Sequence, residues 1–331
     1  MIGKISILGD GGWGTTLAIL LNKKGYNVRL WGAFEDYVRF LDKKRVNEKF
    51  LPGIRIPKEI LISNDLVKLV KDADLIILAI PSQYLKKVLI KIKKIDVSKK
   101  IFLSAVKGIE TGSLKRISEL IYDILGNVKL AVLSGPTIAR EVINSLPTAA
   151  VIACKDLKIA KSLQDLLMTE RFRIYTNRDI IGIELGGSLK NIIAIACGIS
   201  DGLRFGTNTK AAILARGLAE MTRLGSVLGA DSKTFSGISG LGDLVTTCTS
   251  PFSRNRFIGE QIGKGKKLKE ILKRMEMVAE GIPTTKSAYL LSLRNKVDMP
   301  ITKEIYLVLY KNKDPLRAVD DLMLRKKKKE F

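Results

Sequence analysis

The chain contains no histidine. That removes the commonest general acid–base side chain. It also removes Ser-His-Asp hydrolysis and most metal chemistry. Proton transfer therefore falls to Lys, Tyr, Cys, Asp or Glu. Cysteine is scarce. Cys154, Cys197 and Cys248 are far apart in sequence and have no metal or redox spacing, so no metal site is expected. Such usage points to a reducing cytoplasm. Aromatics make up 6% of the chain, and few are interleaved with basic residues as stacking platforms for nucleic acid. No apolar run approaches the length of a membrane span. The first residues already read as a strand, so no cleavable signal is expected.

Charge is one-sided. Fifty-seven basic residues face 33 acidic ones, a net charge of +24. Nucleic-acid binding is one reading. Against it, the lysines are scattered, and only Arg325-Lys326-Lys327-Lys328-Lys329 forms a dense run. A lysine-rich solvated surface with a basic tail fits better, and no specific nucleic acid is expected. Either way, a positive field favours the approach of anionic substrates and cofactors. At 331 residues and 46% apolar content, the chain is long enough for a sizeable core and two domains.

The most informative stretch is the first. Ile5-Ser6-Ile7-Leu8 reads as a short apolar strand, and Thr15 to Leu21 as a buried helix. Between them stands Gly9-Asp10-Gly11-Gly12-Trp13-Gly14, a G-x-G-x-x-G in the strand–helix context that gives the pattern meaning. Gly9 permits a tight turn, Gly11 lets backbone approach a pyrophosphate, and Gly14 lets helix and strand pack closely. The anion then meets free N–H groups at the positive end of the helix. A glycine-rich turn without a ligand is the plainer alternative. Gly25 as a C-cap and a second strand at Asn27–Trp31 favour a bound dinucleotide.

The alternation continues. After the second strand, Glu35 to Lys49 reads as polar and helical, and residues 51–57 as a loop because of Pro52, Gly53 and Pro57. Apolar runs at Ala73–Ile80, Ile101–Val106 and Leu130–Ser134 are typical of parallel strands covered on both faces. Helical segments near 83–93, 113–125 and 138–143 separate or follow them, and further strands fit 148–153 and 172–176. The expected fold is α/β: a doubly wound Rossmann-type N-terminal domain over 1–179, then an all-α domain over 180–331. Helices are expected near 180–200, 208–228, 232–236, 240–248, 254–262, 267–276, 283–295, 300–310 and 314–324. In such sheets ligands bind outside the carboxyl ends of the strands. Pro81, Lys107 and Gly135-Pro136-Thr137 all fall at those ends, beside the glycine loop.

Chemistry in the helical half centres on Lys190. Leu185 to Ser200 holds this one charge among apolar residues and glycines, which argues for a buried helix. A buried lysine is costly unless paired or used. Desolvation lowers its pKa and makes it a workable proton donor near neutral pH. A lysine snorkelling at the helix edge is the plainer alternative. Asn191 beside it either meets a substrate oxygen or faces solvent. Gly237 to Cys248 is a second glycine-rich entry into a helix, with Asp243 and Thr247 on one face. Asp243 is either a ligand or an ordinary cap. Ser253-Arg254-Asn255-Arg256 offers a guanidinium, a hydroxyl and an amide, which suits a phosphate. Together these residues describe hydride transfer to or from a phosphorylated carbonyl compound.

At these residues the chain resembles the bacterial-type NAD(P)-dependent glycerol-3-phosphate dehydrogenases. The matching stretches run in order from residue 5 to about 305. They include Gly9–Thr15, Val106-Lys107-Gly108, Leu133–Thr137, Gly182–Gly198, Ser200-Asp201-Gly202, Arg216–Met221, Gly240–Leu244, Ser253–Arg256 and Val278–Gly281. The resemblance implies reversible reduction of dihydroxyacetone phosphate to sn-glycerol 3-phosphate, the entry to glycerophospholipid synthesis. It implies Lys190 as proton donor and acceptor at the substrate oxygen. Lys107, Gly135, Thr137, Lys190, Asp243, Ser253, Arg254 and Asn255 would line the substrate site. Besides the loop glycines Gly9, Gly11 and Gly14, the cofactor would meet Gly12, Trp13, Lys107, Ala139, Arg254, Val278 and Glu280. The family is cytoplasmic and usually dimeric, so a homodimer is expected.

One stretch departs from the family. Basic residues commonly follow the second strand there, where the 2′-phosphate of NADP would lie. Here the stretch is Trp31-Gly32-Ala33-Phe34-Glu35-Asp36, with Arg39 one helical turn on. The cofactor is NAD or NADP, and NADH is expected to serve at least as well as NADPH. The nearest rival is another two-domain dehydrogenase acting on a sugar acid, a keto acid or a nucleotide sugar. A rival of another class is a non-catalytic dinucleotide sensor that binds nucleic acid.

Overall fold

The computed structural model describes residues 2–327 and 329–330. Met1, Lys328 and Phe331, one residue of the basic run among them, lie outside the described residues.

Strands and helices alternate through the first half. In order they are β1 (Lys4–Leu8), α1 (Gly12–Lys23), β2 (Asn27–Trp31), α2 (Glu35–Lys44), β3 (Val46–Asn47), β4 (Leu51–Arg55), β5 (Leu61–Ser63), α3 (Leu66–Lys71) and β6 (Leu75–Leu78). There follow α4 (Ser82–Ile92), β7 (Ile101–Ser104), α5 (Ile117–Leu125), β8 (Lys129–Ser134), α6 (Ala139–Ile143), β9 (Thr148–Cys154), α7 (Leu157–Leu167) and β10 (Phe172–Asn177). Eight strands form one sheet in the order β10-β9-β8-β7-β6-β1-β2-β5. Strand order reverses between β1 and β6, so the crevice for a dinucleotide opens there, beside the glycine loop.

Both faces of the sheet are covered, as the unbroken apolar runs require. Ile5, Ile7, Leu75 and Ile77 face one core with Leu17 and Leu21 of α1. Leu8, Ile76 and Leu78 face the other, with Leu85 and Leu89 of α4 and Leu120 of α5. Neighbouring strands are parallel except β8 and β9. The reason lies in α6, which has only five residues. It stays beside the start of α1, where Thr16 Oγ1 donates to Ala139 O. The chain therefore re-enters the sheet from the end it left.

Three details depart from expectation. Leu51–Arg55 is a strand paired with β3, not a loop. Pro52 is tolerated because a two-stranded hairpin leaves it on an edge, where its missing N–H costs no ladder bond. Helix α2 stops at Lys44 because Arg45 turns left-handed, at φ 55°. Helices α3 and α7 were not anticipated. Each begins at an aspartate, Asp65 or Asp156, that accepts a backbone N–H of the first turn.

The second half is helical: α8 (Ile180–Gly202), α9 (Thr207–Val227), α10 (Ser232–Phe235), a π turn at Ile238–Gly242, α11 (Asp243–Thr249), α12 (Arg254–Gly263), α13 (Leu268–Lys273), α14 (Gly281–Arg294), α15 (Pro300–Lys311) and α16 (Pro315–Met323). The expected helix at 240–248 thus begins as a π turn. Helix α8 has the length and mean hydropathy of a membrane span, although Glu184 and Lys190 interrupt its apolar run. It is nevertheless the central core helix, with 94% of that window buried in the fold. Asp179 starts it by accepting Gly182 N–H at 2.8 Å. Ile180 and Ile183 join it to the sheet through Val132, Val151 and Ala153.

Candidate active site

The glycine loop has the shape its sequence implies. Gly9 adopts φ +123°, and a Cβ there would collide with the Ala79 carbonyl at the end of β6. A Cβ on Gly14 would collide with the Gly9 carbonyl, which fixes how closely α1 approaches β1. Gly11 differs: within 4 Å of its Cβ position there is nothing, so this side of the loop is open. Gly11 is the N-cap of α1 and no side chain caps the helix. Its first-turn N–H groups are therefore available to an anion. Gly12 packs beside Ala139, and the Trp13 ring meets Phe172 edge-on at 6.4 Å. An open glycine and an uncapped helix fit a pyrophosphate.

The lysines converge on one carboxylate. Lys190 on α8 is 6% exposed, so it does not snorkel. Its Nζ donates to Asp243 Oδ1 and to Thr247 Oγ1, each at 2.6 Å. Lys107, just past β7, donates to Asp243 Oδ2 at 2.8 Å, to Gly135 O at 2.8 Å and to Thr137 Oγ1 at 3.5 Å. Asp243 is buried and stands at the start of α11, yet its carboxylate binds the two ammonium groups and not the helix N–H groups. Two cations on one anion leave a net positive site. Burial pulls the Lys190 pKa down from 10.5 to about 8, against the pull of Asp243, and the Lys107 charge lowers it further. Such a group exchanges protons near neutral pH.

Close helix packing brings the third part in. On α8, a Cβ at Gly198 or Gly202 would collide with the Arg256 or Glu260 carbonyl of α12. On α12, a Cβ at Gly259 would collide with the Ile195 carbonyl. These glycines let the two backbones touch, and so bring the start of α12 beside Asn191. Asn255 Nδ2 donates to Asn191 Oδ1 at 2.9 Å, and Asn255 Oδ1 accepts Gly281 N–H at 2.9 Å. Asn191 is thus buried and paired, not solvated. Ser253 caps α12 by accepting Arg256 N–H at 3.3 Å. Arg254 donates to Val278 O at 2.6 Å. Glu280 accepts from Ser82 N–H at 2.6 Å and Ser82 Oγ at 2.5 Å, and its charge faces Arg254.

The structure therefore gathers Lys107, Gly135, Thr137, Lys190 and Asp243 in one hydrogen-bonded cluster. Beside it lie Ser253, Arg254, Asn255, Val278 and Glu280, while Gly9, Gly11, Gly12, Trp13 and Gly14 form the loop at β1 and the start of α1, with Ala139 of α6 packed against Gly12. Arg39 does not fold back toward a 2′ position. It donates to Asp36 at 2.9 Å and pairs with Glu35 at 3.5 Å on the exposed side of α2. Cys197 and Cys248, far apart in sequence, interact in the fold, and Cys248 feels the Lys190 charge. Both are free and buried. Among the described residues no cluster could hold a metal. Sequence reasoning missed Asn47 and Ser82. Asn47 Nδ2 donates to Asp10 O at 2.8 Å and Thr15 Oγ1 at 2.7 Å, which clamps the glycine loop. Nothing in the sequence marked Asn47, but Ser82 follows the strand-end Pro81 and was within reach of the strand-end argument.

Two family models match the chain: the N-terminus of NAD-dependent glycerol-3-phosphate dehydrogenase over residues 4–160, and its C-terminus over 179–320. The glycerol-3-phosphate dehydrogenase [NAD(P)+] of Chlorobium phaeobacteroides is 49% identical over 331 residues, covering 99% of each chain. The Thermoanaerobacter enzyme of the same name is 50% identical over 328 residues, again at 99% of each. The crystal structure of glycerol-3-phosphate dehydrogenase from Coxiella burnetii superposes with a TM-score of 0.95 at 39% identity, covering 98% of this chain and 99% of that one. With both halves matched and full-length identity near one half, the chain belongs to the NAD-dependent glycerol-3-phosphate dehydrogenase family.

Proposed function

We propose that this chain catalyses the reversible reduction of dihydroxyacetone phosphate to sn-glycerol 3-phosphate with NADH or NADPH. The observation that carries the reading is Asp243 bridging Lys107 and a buried Lys190 whose pKa lies near 8. Residues 1–179 would form the dinucleotide-binding domain and residues 180–331 the helical catalytic domain, with Lys107, Gly135 and Thr137 of the first reaching the substrate and Arg254, Val278 and Glu280 of the second reaching the cofactor. The nicotinamide supplies the hydride when bound.

The protein's part is charge, position and a proton. The Gly9–Gly14 loop seats the pyrophosphate on the start of α1, with Trp13, Ala139, Val278 and Glu280 beside the rest of the cofactor. Lys190 Nζ gives a proton to the carbonyl oxygen as that carbon is reduced, and takes it back in oxidation. Asp243 and Thr247 hold the Lys190 ammonium in place for this step. Lys107 sits between Gly135, Thr137 and Asp243, where it stabilises negative charge developing on the same oxygen. Ser253, Arg254 and Asn255 at the positive end of α12 receive the phosphate. The product suits glycerophospholipid synthesis. A homodimer in the cytoplasm is the assembly and place we infer from the family.

Oxidation of NADH and of NADPH followed with dihydroxyacetone phosphate, and with sugar-acid and keto-acid controls, tests the reading. Turnover confined to the phosphorylated ketone is expected. A folded, cofactor-binding protein that turns over a control in preference would overturn it.

A further inference from the structure

The glycine loop carries a carboxylate that the reaction does not use. Asp10 stands between Gly9 and Gly11. Its Oδ2 is buried and has no hydrogen-bond partner. The carboxylate packs on Gly32, where a Cβ would collide with Oδ2. Gly32 is the first residue past β2, which ends at Trp31. In dinucleotide-binding sheets, this strand end receives the ribose of the adenosine half, and an acid there accepts the 2′-hydroxyl.

The chain offers no acid on that strand end itself, which reads Gly32-Ala33-Phe34. Glu35 and Asp36 lie on the exposed face of α2 and bind Arg39. Asp10 reaches the same place from the loop instead. Asn47 holds its backbone carbonyl at 2.8 Å, so the residue is fixed in position. Burial raises the Asp10 pKa above the usual carboxylate value, while the field of Lys49, on the turn between β3 and β4, opposes that shift and favours the charged form. Lys49 Nζ stands over the Phe50 ring, 5.4 Å from its centroid.

We propose that Asp10 reads the 2′ position of the cofactor: it accepts a hydrogen bond from the free 2′-hydroxyl of NAD(H) and repels the 2′-phosphate of NADP(H). Lys49 is the cation that Asp10 neutralises, and it becomes a phosphate ligand when Asp10 is removed. The inference rests on the dinucleotide site proposed above. A 2′-phosphate carries nearly two negative charges. Set beside a carboxylate, it is disfavoured, whereas beside an unopposed lysine it is welcomed.

The test is equilibrium binding by calorimetry, with ADP-ribose and its 2′-phosphate as probes and no turnover involved. Wild-type protein should bind ADP-ribose at least tenfold more tightly. Asp10→Asn, which keeps the shape, should narrow or invert that ratio by at least tenfold. Asp10→Ala should invert it too, and adding Lys49→Ala should remove the gained affinity for the phosphorylated probe. Equal weakening of both probes in Asp10→Asn, with the ratio unchanged, would mark a merely structural residue and overturn the proposal. Failure of wild-type protein to bind either probe would overturn the dinucleotide site, and the proposal with it.

Discussion

Replacing Asp243 by Asn should move the pH dependence of the reaction, not only its rate. One carboxylate serves two ammonium groups, at 2.6 Å from Lys190 and 2.8 Å from Lys107. Asparagine keeps the shape and one acceptor but removes the charge. Unit charges about 3 Å apart interact by about 5 kcal/mol at an effective dielectric near 20. That is an upper figure, because part of it offsets the cost of burying the carboxylate itself. Close charged neighbours usually shift a pKa by about 1–3 units. Lys190, at about 8 with Asp243 in place, should therefore titrate roughly 1–3 units lower in the variant. Reduction needs the protonated lysine, so its kcat/KM falls as pH rises through that value. Oxidation needs the neutral lysine, so its kcat/KM rises through the same value. Both limbs should lie near pH 8 in the wild type and both should move to lower pH in Asp243→Asn. The assay is kcat/KM in both directions from about pH 4 to 10, with circular dichroism and cofactor titration to verify the fold. A uniform loss of rate with both limbs unmoved would refute the idea that Asp243 sets the proton affinity of Lys190.

Lys190→Ala should keep cofactor affinity and lose turnover by roughly 10²–10⁴-fold; near-normal turnover in a folded variant would reject the assignment. Arg254→Ala should raise KM for the phosphate ester, on the scale of about 2–5 kcal/mol for a truncated charged partner. It also frees Val278 O, so cofactor affinity must be titrated beside it, and unchanged activity at low substrate would sink the phosphate role. Glu220 gives a stability prediction: it accepts Ile301 N–H at 2.6 Å and Thr302 N–H at 3.1 Å, which caps α15 from α9. Burial pushes its pKa from 4.5 up to about 7, so the folded state holds the proton more tightly than the unfolded one. Its contribution is full below about pH 4.5 and is lost as pH rises through about 7. Denaturant titrations across that window should show the loss in wild type and not in Glu220→Gln, and identical profiles would contradict the linkage.

Much of this was legible in the sequence because local rules and tertiary packing agree. β1, β6, β7 and β8 are short apolar runs closed by turn residues, and Lys190 is a lone charge in an apolar helix. Both are patterns of one element. What stayed hidden depends on which elements meet. The hairpin at Val46–Arg55 was obscured by Pro52 and Gly53, which mark a loop unless the strand is an edge. Helix α7 was legible in principle, since Asp156 and the spacing of Leu157, Ala160, Leu163, Leu166 and Leu167 give a cap and an apolar face. The choice between cap and ligand for Asp243 cannot be made from residue 243 alone. Either role starts a helix, and what the fold adds is that the carboxylate pairs with Lys107 and Lys190. The same holds for Arg39, which pairs with Glu35 and Asp36 on its own helix.

The two halves of the site are joined by buried acids of the helical half, and this explains their placement in so basic a chain. Glu184 accepts from Ser118 N–H and Arg116 at 2.7 Å, and so caps α5 from 66 and 68 residues away. Glu280 caps α4 through Ser82, 198 residues away, where Pro81 brings no side-chain cap of its own. Asp243 holds Lys107 past the end of β7, 136 residues away. Each acid meets the positive end of a helix or a lysine at the carboxyl side of the sheet. A helix start left uncapped there would keep orphan donors, and a buried acid without such a partner would not stay charged. Each therefore needs the other domain, so the contact that ties Lys190 to Lys107 through Asp243 also helps hold the domains together. An apolar interface of the same size could slide; three charge-assisted contacts with fixed directions cannot slide without leaving a buried carboxylate unpaired. Glu184 and Glu280 thus fix the two halves against each other at points away from Asp243, and Asp243 does so at the lysines.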